Sequence, residues 1–292
     1  MLKILITGAN SYIGNSIREW LLRENTLYKV DELDMLNPTW EQYDFSVYDI
    51  VIHVAGIVHI RQKKDMWPLY YNVNTEMANK VAIKAKNEGV KHFIFFSTKG
   101  VYKPNEALLT KNISPEPRSF YGKSKLMAEE KLLKLADERF IVSVLRPPTV
   151  YGEGCKGNFL KLVKLSKKIH IFPRCRNKRS MIYIWNLCEY IRLLINDPCL
   201  KTDIHYPQNR EYCGTLDILE AQWQIRGEKY FLAPISGFLL KFLVKMVRIK
   251  KFQTVFSDAC YDLAMSNEYE YRYCLYSFKE SMKKIIEESK KG

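Results

Sequence analysis

The sequence has no run of about 18 uncharged apolar residues, so we expect no transmembrane helix. Its seven cysteines are odd in number, and no two of them form a C-x-x-C pair. Neither cysteine nor histidine shows the spacing of metal ligands, which argues against a metal site. The chain begins MLKILITG, and a strand is predicted from its third residue, so we expect no signal or transit peptide. We therefore expect reduced thiols in a cytoplasmic protein.

Acidic residues are fewer than basic ones, 32 against 46, which gives a net charge of +14 at pH 7. No nucleic-acid-binding module accompanies this charge, so we expect no nucleic-acid partner. The basic balance instead suits an anionic substrate and cofactor. Hydrophobic residues make up 47% of the 292 positions, which is enough for a sizeable core.

Predicted strands and helices alternate through the first half of the chain. Strands are predicted at 3–6, 29–35, 49–55, 92–97 and 140–146, and helices at 12–23, 72–88 (capped by Gly89) and 120–136. This alternation is typical of an α/β fold, with a doubly wound parallel sheet covered by helices on both faces. After residue 150, helices are predicted near 158–168, 186–196, 215–225, 238–249 and 278–290, the last behind a Ser277-x-x-Glu280 capping box.

A glycine-rich turn, ITGANSYIG (6–14), follows the first predicted strand and opens a helix. Gly8 permits the sharp turn, and Gly14 lets the helix lie close to the sheet. Ser11 takes the middle position, where helix-start N–H groups approach a phosphate. A serine with negative φ can serve there and donate its hydroxyl. The turn alone fits a dinucleotide site and a structural turn equally.

Tyr121 and Lys125 lie four residues apart on a predicted helix and therefore share one face. A neighbouring ammonium favours a phenolate, so this pair predicts a general base. Ser97 and Thr98 end a predicted strand upstream, where a hydroxyl can hold a substrate oxygen. An ordinary surface pair is the alternative interpretation of Tyr121 and Lys125.

Seven motifs in order resemble the extended short-chain dehydrogenases/reductases of the nucleotide-sugar epimerase/dehydratase family. They are TGANSYIG, HVAG (53–56), NVN (72–74), STKGVY (97–102), YGKSK (121–125), RPPTVYGEG (146–154) and KRSMIYIWNL (178–187). The resemblance covers nearly the whole chain. It implies a Rossmann-like dinucleotide-binding domain over residues 1–150 and a smaller, mostly helical substrate lobe over 151–292, with interleaved boundaries.

The resemblance also implies the site residues. Thr98 matches the active-site hydroxyl and a substrate contact, Tyr121 the general acid/base, and Lys125 the residue that lowers the pKa of that tyrosine and holds the nicotinamide ribose. The implied cofactor residues are Gly8, Ser11, Tyr12, Ile13, Gly14, Ala55, Gly56, Asn72, Pro147, Thr149 and Val150, with Tyr121 and Lys125. Asn158 and Arg179 match nucleotide-sugar contacts, Arg179 at the diphosphate; a surface ion pair is the alternative for Arg179.

Three positions depart from the family pattern. The segment before Asp49 is short, so Asp34 is our candidate for the adenosine ribose and Asp31 its rival. NAD is the expected cofactor, with NADP left open. Family dehydratases carry an Asp-Glu pair after the hydroxyl residue, whereas this chain has Lys99 and Gly100, so we set dehydration aside. Trp185 stands where relatives often carry Asp, and packing is its default role.

The stretch FLLKFLVKMVRIKK (238–251) combines an apolar and a basic helical face. It fits a membrane-surface helix, but a helix covering the substrate lobe is the preferred interpretation.

Three functions follow as hypotheses. The first is an NAD-dependent epimerase of a nucleotide-activated hexose, with a UDP-linked sugar as substrate and a transient 4-keto intermediate. The second is an NAD(P)H-dependent reductase of a nucleotide 4-keto-6-deoxy sugar, and the third a non-catalytic dinucleotide-binding sensor. A homodimer and a place in polysaccharide biosynthesis are extensions of the family resemblance.

Overall fold

A computed structural model describes residues 1–24, 26–58, 64–104, 106–234 and 255–288. The chain divides into two units, each assembled from separate stretches. The first unit comprises Met1–Pro104, Ser114–Pro148 and Leu187–Pro207. The second comprises Asn105–Ile113, Thr149–Asn186 and Gln208–Gly292.

The first unit is built on a six-stranded, entirely parallel sheet. Its strands are β1 (Leu2–Thr7), β2 (Tyr28–Leu33), β3 (Ile50–His53), β4 (His92–Phe96), β6 (Ile141–Leu145) and β10 (Asp203–His205). The spatial order is β10-β6-β4-β3-β1-β2. Near-continuous apolar runs such as HFIFF in β4 are buried at every position, as expected for a sheet covered on both faces.

Helices lie along both faces of this sheet. On one face, Ala78, Val81, Ala82 and Ala128 pack with sheet residues such as Phe95 into one core. Helix α1, which begins at Tyr12, contributes no residue to this core; its Trp20 indole donates to Glu189 at 3.0 Å. The helices in chain order are α1 (Tyr12–Leu21), α2 (Trp67–Tyr71), α3 (Ala78–Asn87), α4 (Phe120–Leu135), α5 (Asn158–Ser166), α6 (Ile184–Ile195), α7 (Thr215–Arg226) and α8 (Phe278–Glu288).

The predicted helix start at residue 72 is wrong. The helical run begins at Trp67 with Pro68 in its first turn, where the missing N–H costs no intrahelical bond. A π-helical turn over Asn72–Met77 then leads into α3. Gly89, at φ +85°, ends the run as predicted.

Within its described residues, the second unit contains three two-stranded parallel pairs: β7 (Thr149–Tyr151) with β9 (Met181–Tyr183), β8 (Ile171–Pro173) with β11 (Phe231–Ala233), and β5 (Leu108–Leu109) with β12 (Cys260–Tyr261). One core cluster of this unit consists of Phe172, Cys175, Leu216, Leu219, Trp223 and Phe256. The predicted capping box is confirmed, because Ser277 N donates to the Glu280 carboxylate at 2.8 Å and Glu280 N donates to Ser277 Oγ at 3.3 Å.

All seven cysteines lie in the described part of the chain and are free thiols. The predicted helix at 238–249 lies outside the described residues. Among the helices that are described, none is both long and apolar enough to cross a membrane.

Candidate active site

The glycine-rich turn needs a glycine at position 8. Gly8 has φ +111°, and a Cβ there would lie 2.8 Å from the backbone nitrogen of Ala55. The amides of Gly8 and Ala9 both donate to Leu33 O, which fixes the turn beside the end of β2. Asn10 also has positive φ, at 62°. The turn thus lies against the ends of β2 and β3.

Ser11 fits the middle position without backbone strain. It is the N-cap of α1 with φ −79° and ψ 145°, and its Oγ accepts from Gly14 N at 3.1 Å. The hydroxyl proton is not used by this cap, so it can point to an anion. The first turn of α1 holds no acidic residue, and Tyr12 and Ile13 supply N–H groups at the positive end of the helix dipole. Both features suit a phosphate.

The two candidate aspartates at the adenosine end have different surroundings. Asp31 lies within β2, where its carboxylate accepts from the Tyr48 hydroxyl at 2.9 Å and lies 3.8 Å from Lys29 Nζ. Asp34 directly follows β2, is exposed, and accepts from Leu36 N at 2.9 Å. Since Leu33 O is bonded to the glycine-rich turn, Asp34 follows the residue that anchors that turn; its contact with the adenosine ribose stays a prediction.

The loop after β3 is held by an asparagine that the sequence prediction missed. Asn74 is fully buried; its Oδ1 accepts from Ile57 N at 2.8 Å, and its Nδ2 donates to Ile57 O at 3.1 Å. A Cβ on Gly56 would lie 2.9 Å from Asn74 Oδ1. Asn72, the residue named from the sequence, is exposed, and its cofactor contact stays a prediction. The structure favours Asn74 as the asparagine beside Gly56.

Tyr121 and Thr98 meet at the start of α4. Ser119 caps this helix by accepting from Gly122 N at 3.0 Å, which places Tyr121 in the first turn. The side chains of Tyr121 and Thr98 share a hydrogen bond. Thr98 lies two residues after β4 and caps the following 3₁₀ turn by accepting from Gly100 N at 3.0 Å. The predicted hydroxyl pair is therefore assembled within the first unit.

Lys125 lies one turn further along α4, with a relative exposure of 3%. Its Nζ donates to Phe96 O at 2.8 Å and lies 4.5 Å from the centroid of the Phe95 ring. A Cβ on Gly56 would lie 3.2 Å from Lys125 Nζ, so the ammonium also borders the loop after β3. Burial lowers the pKa of Lys125 to about 7, against the opposing effect of the Glu129 charge.

The expected lowering of the Tyr121 pKa is wrong for the protein chain alone. Burial raises the pKa of Tyr121 to about 12, and the hydrogen bond from Thr98 offsets only part of this effect. The ammonium of Lys125 donates to a backbone carbonyl, and burial favours the neutral form of this lysine by lowering its pKa. Tyr121 is thus a phenol at neutral pH unless a further cation binds near it.

The remaining predicted residues divide between the two units. Pro147 belongs to the first, where its carbonyl accepts from Lys99 N at 3.0 Å and ties the end of β6 to the Thr98 segment. The other four belong to the second unit: Thr149 and Val150 in β7, Asn158 as the first residue of α5, and Arg179 in a bridge to Ala259. Asn158 is exposed, Arg179 is half-buried, and burial lowers the Arg179 pKa.

Behind the site lies a buried polar cluster that the sequence analysis did not identify. Glu129 accepts from Ser97 Oγ and is paired with Arg146. A local signal existed, because Lys125 and Glu129 share the spacing that links Tyr121 and Lys125. The pairing with Arg146 depends on the sheet, which brings the ends of β4 and β6 together.

Known proteins match this chain along most of its length. Residues 4–205 match the model of the NAD-dependent epimerase/dehydratase family. Escherichia coli O157:H7 N-acetyl-alpha-D-glucosaminyl-diphospho-ditrans,octacis-undecaprenol 4-epimerase is 25% identical over 285 residues, covering 85% of each chain. Vibrio cholerae UDP-glucose 4-epimerase is 31% identical over 220 residues, covering 67% of each chain.

The solved structure of Bacillus cereus UDP-glucuronic acid 4-epimerase, in complex with UDP-glucuronic acid and NAD, aligns over 99% of both chains. The TM-score is 0.74 at 21% identity, which confirms the Rossmann-like fold. The match to the family model covers more than two thirds of the chain and includes the glycine-rich turn, Thr98, Tyr121 and Lys125. This protein is therefore a member of the NAD-dependent epimerase/dehydratase family.

Proposed function

We propose that the protein is an NAD-dependent epimerase that inverts C4 of a nucleotide-activated hexose, with a UDP-linked sugar as substrate. The observation that carries this proposal is the assembly of Thr98, Tyr121 and Lys125 around the start of α4. Two curated relatives that match most of the chain are 4-epimerases, which supports the same chemistry.

The residues present fit NAD. A Cβ at Gly8 would collide with Ala55, and one at Gly56 would collide with Asn74, so both positions need glycine for the loops to pack as closely as they do. The start of α1 suits the pyrophosphate, and the exposed Asp34 suits ribose hydroxyls. A carboxylate there repels a 2′-phosphate, which favours NAD over NADP. When bound, NAD supplies a hydride acceptor and a positively charged ring.

Tyr121 moves the proton in this proposal. As a phenolate it takes the proton of the sugar 4-hydroxyl while hydride leaves C4, which gives a 4-keto sugar and a neutral phenol. After the sugar turns over, hydride returns to the opposite face of C4 and Tyr121 gives the proton back. Thr98 donates to the substrate oxygen, and the Lys125 ammonium, which alone does not offset the burial of Tyr121, is assigned to favour the phenolate once the cofactor is bound. A positive charge bound near Tyr121 acts in the same direction.

The chain's departure from the dehydratase pattern supports epimerisation over elimination. Lys99 and Gly100 occupy the short turn after Thr98, where the acid and base of a dehydratase are expected. On the substrate side, we assign the diphosphate to Arg179, whose planar guanidinium provides paired donors, and a further contact to Asn158. A homodimer remains an expectation from the family.

The test is incubation of the purified protein with UDP-glucose, UDP-galactose and their N-acetylated counterparts, without added cofactor and then with NAD. We expect conversion at C4 with no net change in reduced-nicotinamide absorbance. Tyr121→Phe should slow conversion by about 10²–10⁴-fold, and Tyr43→Phe, on an exposed tyrosine, should not.

Two results favour the alternatives. Stoichiometric NAD(P)H oxidation by a 4-keto-6-deoxy nucleotide sugar, without any epimerisation, identifies the reductase. Tight dinucleotide binding with neither reaction identifies the sensor. Native mass spectrometry identifies the bound dinucleotide in each case.

A further inference from the structure

One carboxylate joins three segments that carry active-site residues. Glu129, with a relative exposure of 1%, lies on α4 one turn beyond Lys125. It accepts from the hydroxyl of Ser97, the neighbour of Thr98. Arg146 Nε donates to both Glu129 oxygens at 3.1 Å, and this arginine directly follows β6 and precedes Pro147. Glu129 thus links α4 to the ends of β4 and β6.

Arg146, the partner of Glu129, is also buried. Arg146, 4% exposed, donates to the Tyr102 hydroxyl at 2.7 Å and to the Tyr206 hydroxyl at 3.5 Å. Its backbone N donates to His205 O at 2.8 Å. A buried ion pair adds little to stability compared with apolar residues of the same volume, because both ions lose their hydration. Stability therefore does not explain why this pair occupies the core beside the site.

The neighbouring Lys125 provides a chemical reason for the buried pair of Glu129 and Arg146. Among the described residues, the titratable groups around Lys125 are Tyr121 and Glu129 on the same helix, His53 from β3, and Arg146, which is paired with Glu129; Tyr70 of α2 acts on Tyr121. His53 is fully buried, and burial lowers its pKa to about 3, so it stays neutral. Tyr121 is a phenol in the chain alone. Glu129 is the group whose charge favours the ammonium form of Lys125.

We propose that Glu129 is a positioning residue: its bonds to Ser97 and Arg146 hold Thr98 in register with Tyr121, and its carboxylate places a negative charge one helical turn from the Lys125 ammonium. The role rests on the proposed function, since that function assigns Lys125 to the phenolate and the cofactor. The ligand-free behaviour of Lys125, however, can be measured without any turnover.

The experiment is a pH titration of Lys125 by NMR of protein labelled at lysine Cε, with the signal assigned by its loss in Lys125→Met. Glu129→Gln keeps the side-chain volume and removes the charge. Glu130→Gln, on the exposed neighbouring residue, is the matched control. We expect Glu129→Gln to move the Lys125 midpoint down by at least about one pH unit, and Glu130→Gln to leave it in place. Equal midpoints in the two variants would overturn the proposal.

A double variant keeps the test valid if Glu129→Gln alone does not fold. Glu129→Gln with Arg146→Met removes both charges, a change that buried pairs often tolerate. Because Arg146 is itself a cation, the double variant is compared with Arg146→Met alone: a lower Lys125 midpoint in the double variant supports the proposal, and equal midpoints refute it. In the same proteins, the pH at which NAD affinity falls should move down with Lys125. If the wild type binds NAD but converts no nucleotide sugar, the proposed function fails while the Lys125 titration still decides the role of Glu129.

Discussion

Replacing Gly122 by alanine should disable the site through a single methyl group. A Cβ at Gly122 would lie 2.2 Å from Gly100 O and 3.0 Å from Pro117 Cβ. A comfortable C···O contact needs about 3.3 Å, so the start of α4 must withdraw by about 1 Å from the turn after Thr98. Since Tyr121 is the preceding residue, its hydrogen bond with Thr98 lengthens or breaks.

The size of the effect follows from that displacement. Misplacing a catalytic group by about 1 Å can reduce turnover by about 100-fold. Stability should fall too, because forced contacts cost about 1–3 kcal/mol, while alanine gains at most about 1 kcal/mol over glycine in a helix. The assay is the kcat of UDP-hexose interconversion, with a thermal melt and an NAD titration on the same sample. NAD affinity should change little.

Lys123→Ala is the matched control, because Lys123 is exposed on the next position of the same helix. It should leave kcat and the melting temperature near those of the wild type. If Gly122→Ala raised the melting temperature and kept kcat, ordinary helix propensity would govern this position, and the close packing of α4 on the Thr98 turn would be refuted.

The other predictions concern single side chains of the site. Tyr121→Phe should reduce kcat by about 10²–10⁴-fold and leave NAD affinity nearly intact, because only the exchangeable proton is lost; near-normal kcat in a stopped assay would remove Tyr121 from the mechanism. Lys125→Met should weaken NAD binding but stabilise the fold at pH 7, because it removes the free-energy cost of burying the Lys125 ammonium. Since the folded pKa of about 7 lies below the unfolded value, this cost is fully present below pH 7 and is lost as the pH rises toward 10. Denaturant melts at pH 7 and 9 should show this advantage shrinking, and a constant difference would contradict it. Ser11→Gly should change NAD affinity by less than about threefold in a calorimetric titration, since helix-start amides contribute most to phosphate binding; a tenfold loss would mean that the Ser11 hydroxyl donates to the phosphate.

Much of this architecture could be predicted because local patterns determine it. Local residue patterns located all five strands predicted in the first half, and the spacing of Tyr121 and Lys125 located the shared helix face. The glycine-rich turn was identified from three positions, and the negative φ of Ser11 satisfies the condition that serine needs there.

The rest depends on contacts between distant segments. Asn72 and Asn74 lie in the same short motif, and only the fold reveals that Asn74 is the buried one that bonds to Ile57. The raised pKa of Tyr121 follows from burial, which four-residue spacing does not encode. Glu129 and Arg146 meet because β4 and β6 are neighbours in the sheet.

The π-helical turn over Asn72–Met77 has a consequence for how this gene can change. An α-helix advances by about 100° per residue, so one extra residue in a turn rotates everything after it relative to everything before. Here the turn buries both Asn74 and Thr75, which bond to Ser124 through its Oγ and its carbonyl oxygen, while Ala78, Val81 and Ala82 of α3 still face the core. Loss of a single codon within this stretch would rotate the buried polar pair, Asn74 and Thr75, relative to the apolar face of α3. Either the asparagine would leave the loop after β3, or the alanine face of α3 would turn out of the core, so in-frame deletions should be far less tolerated here than point substitutions.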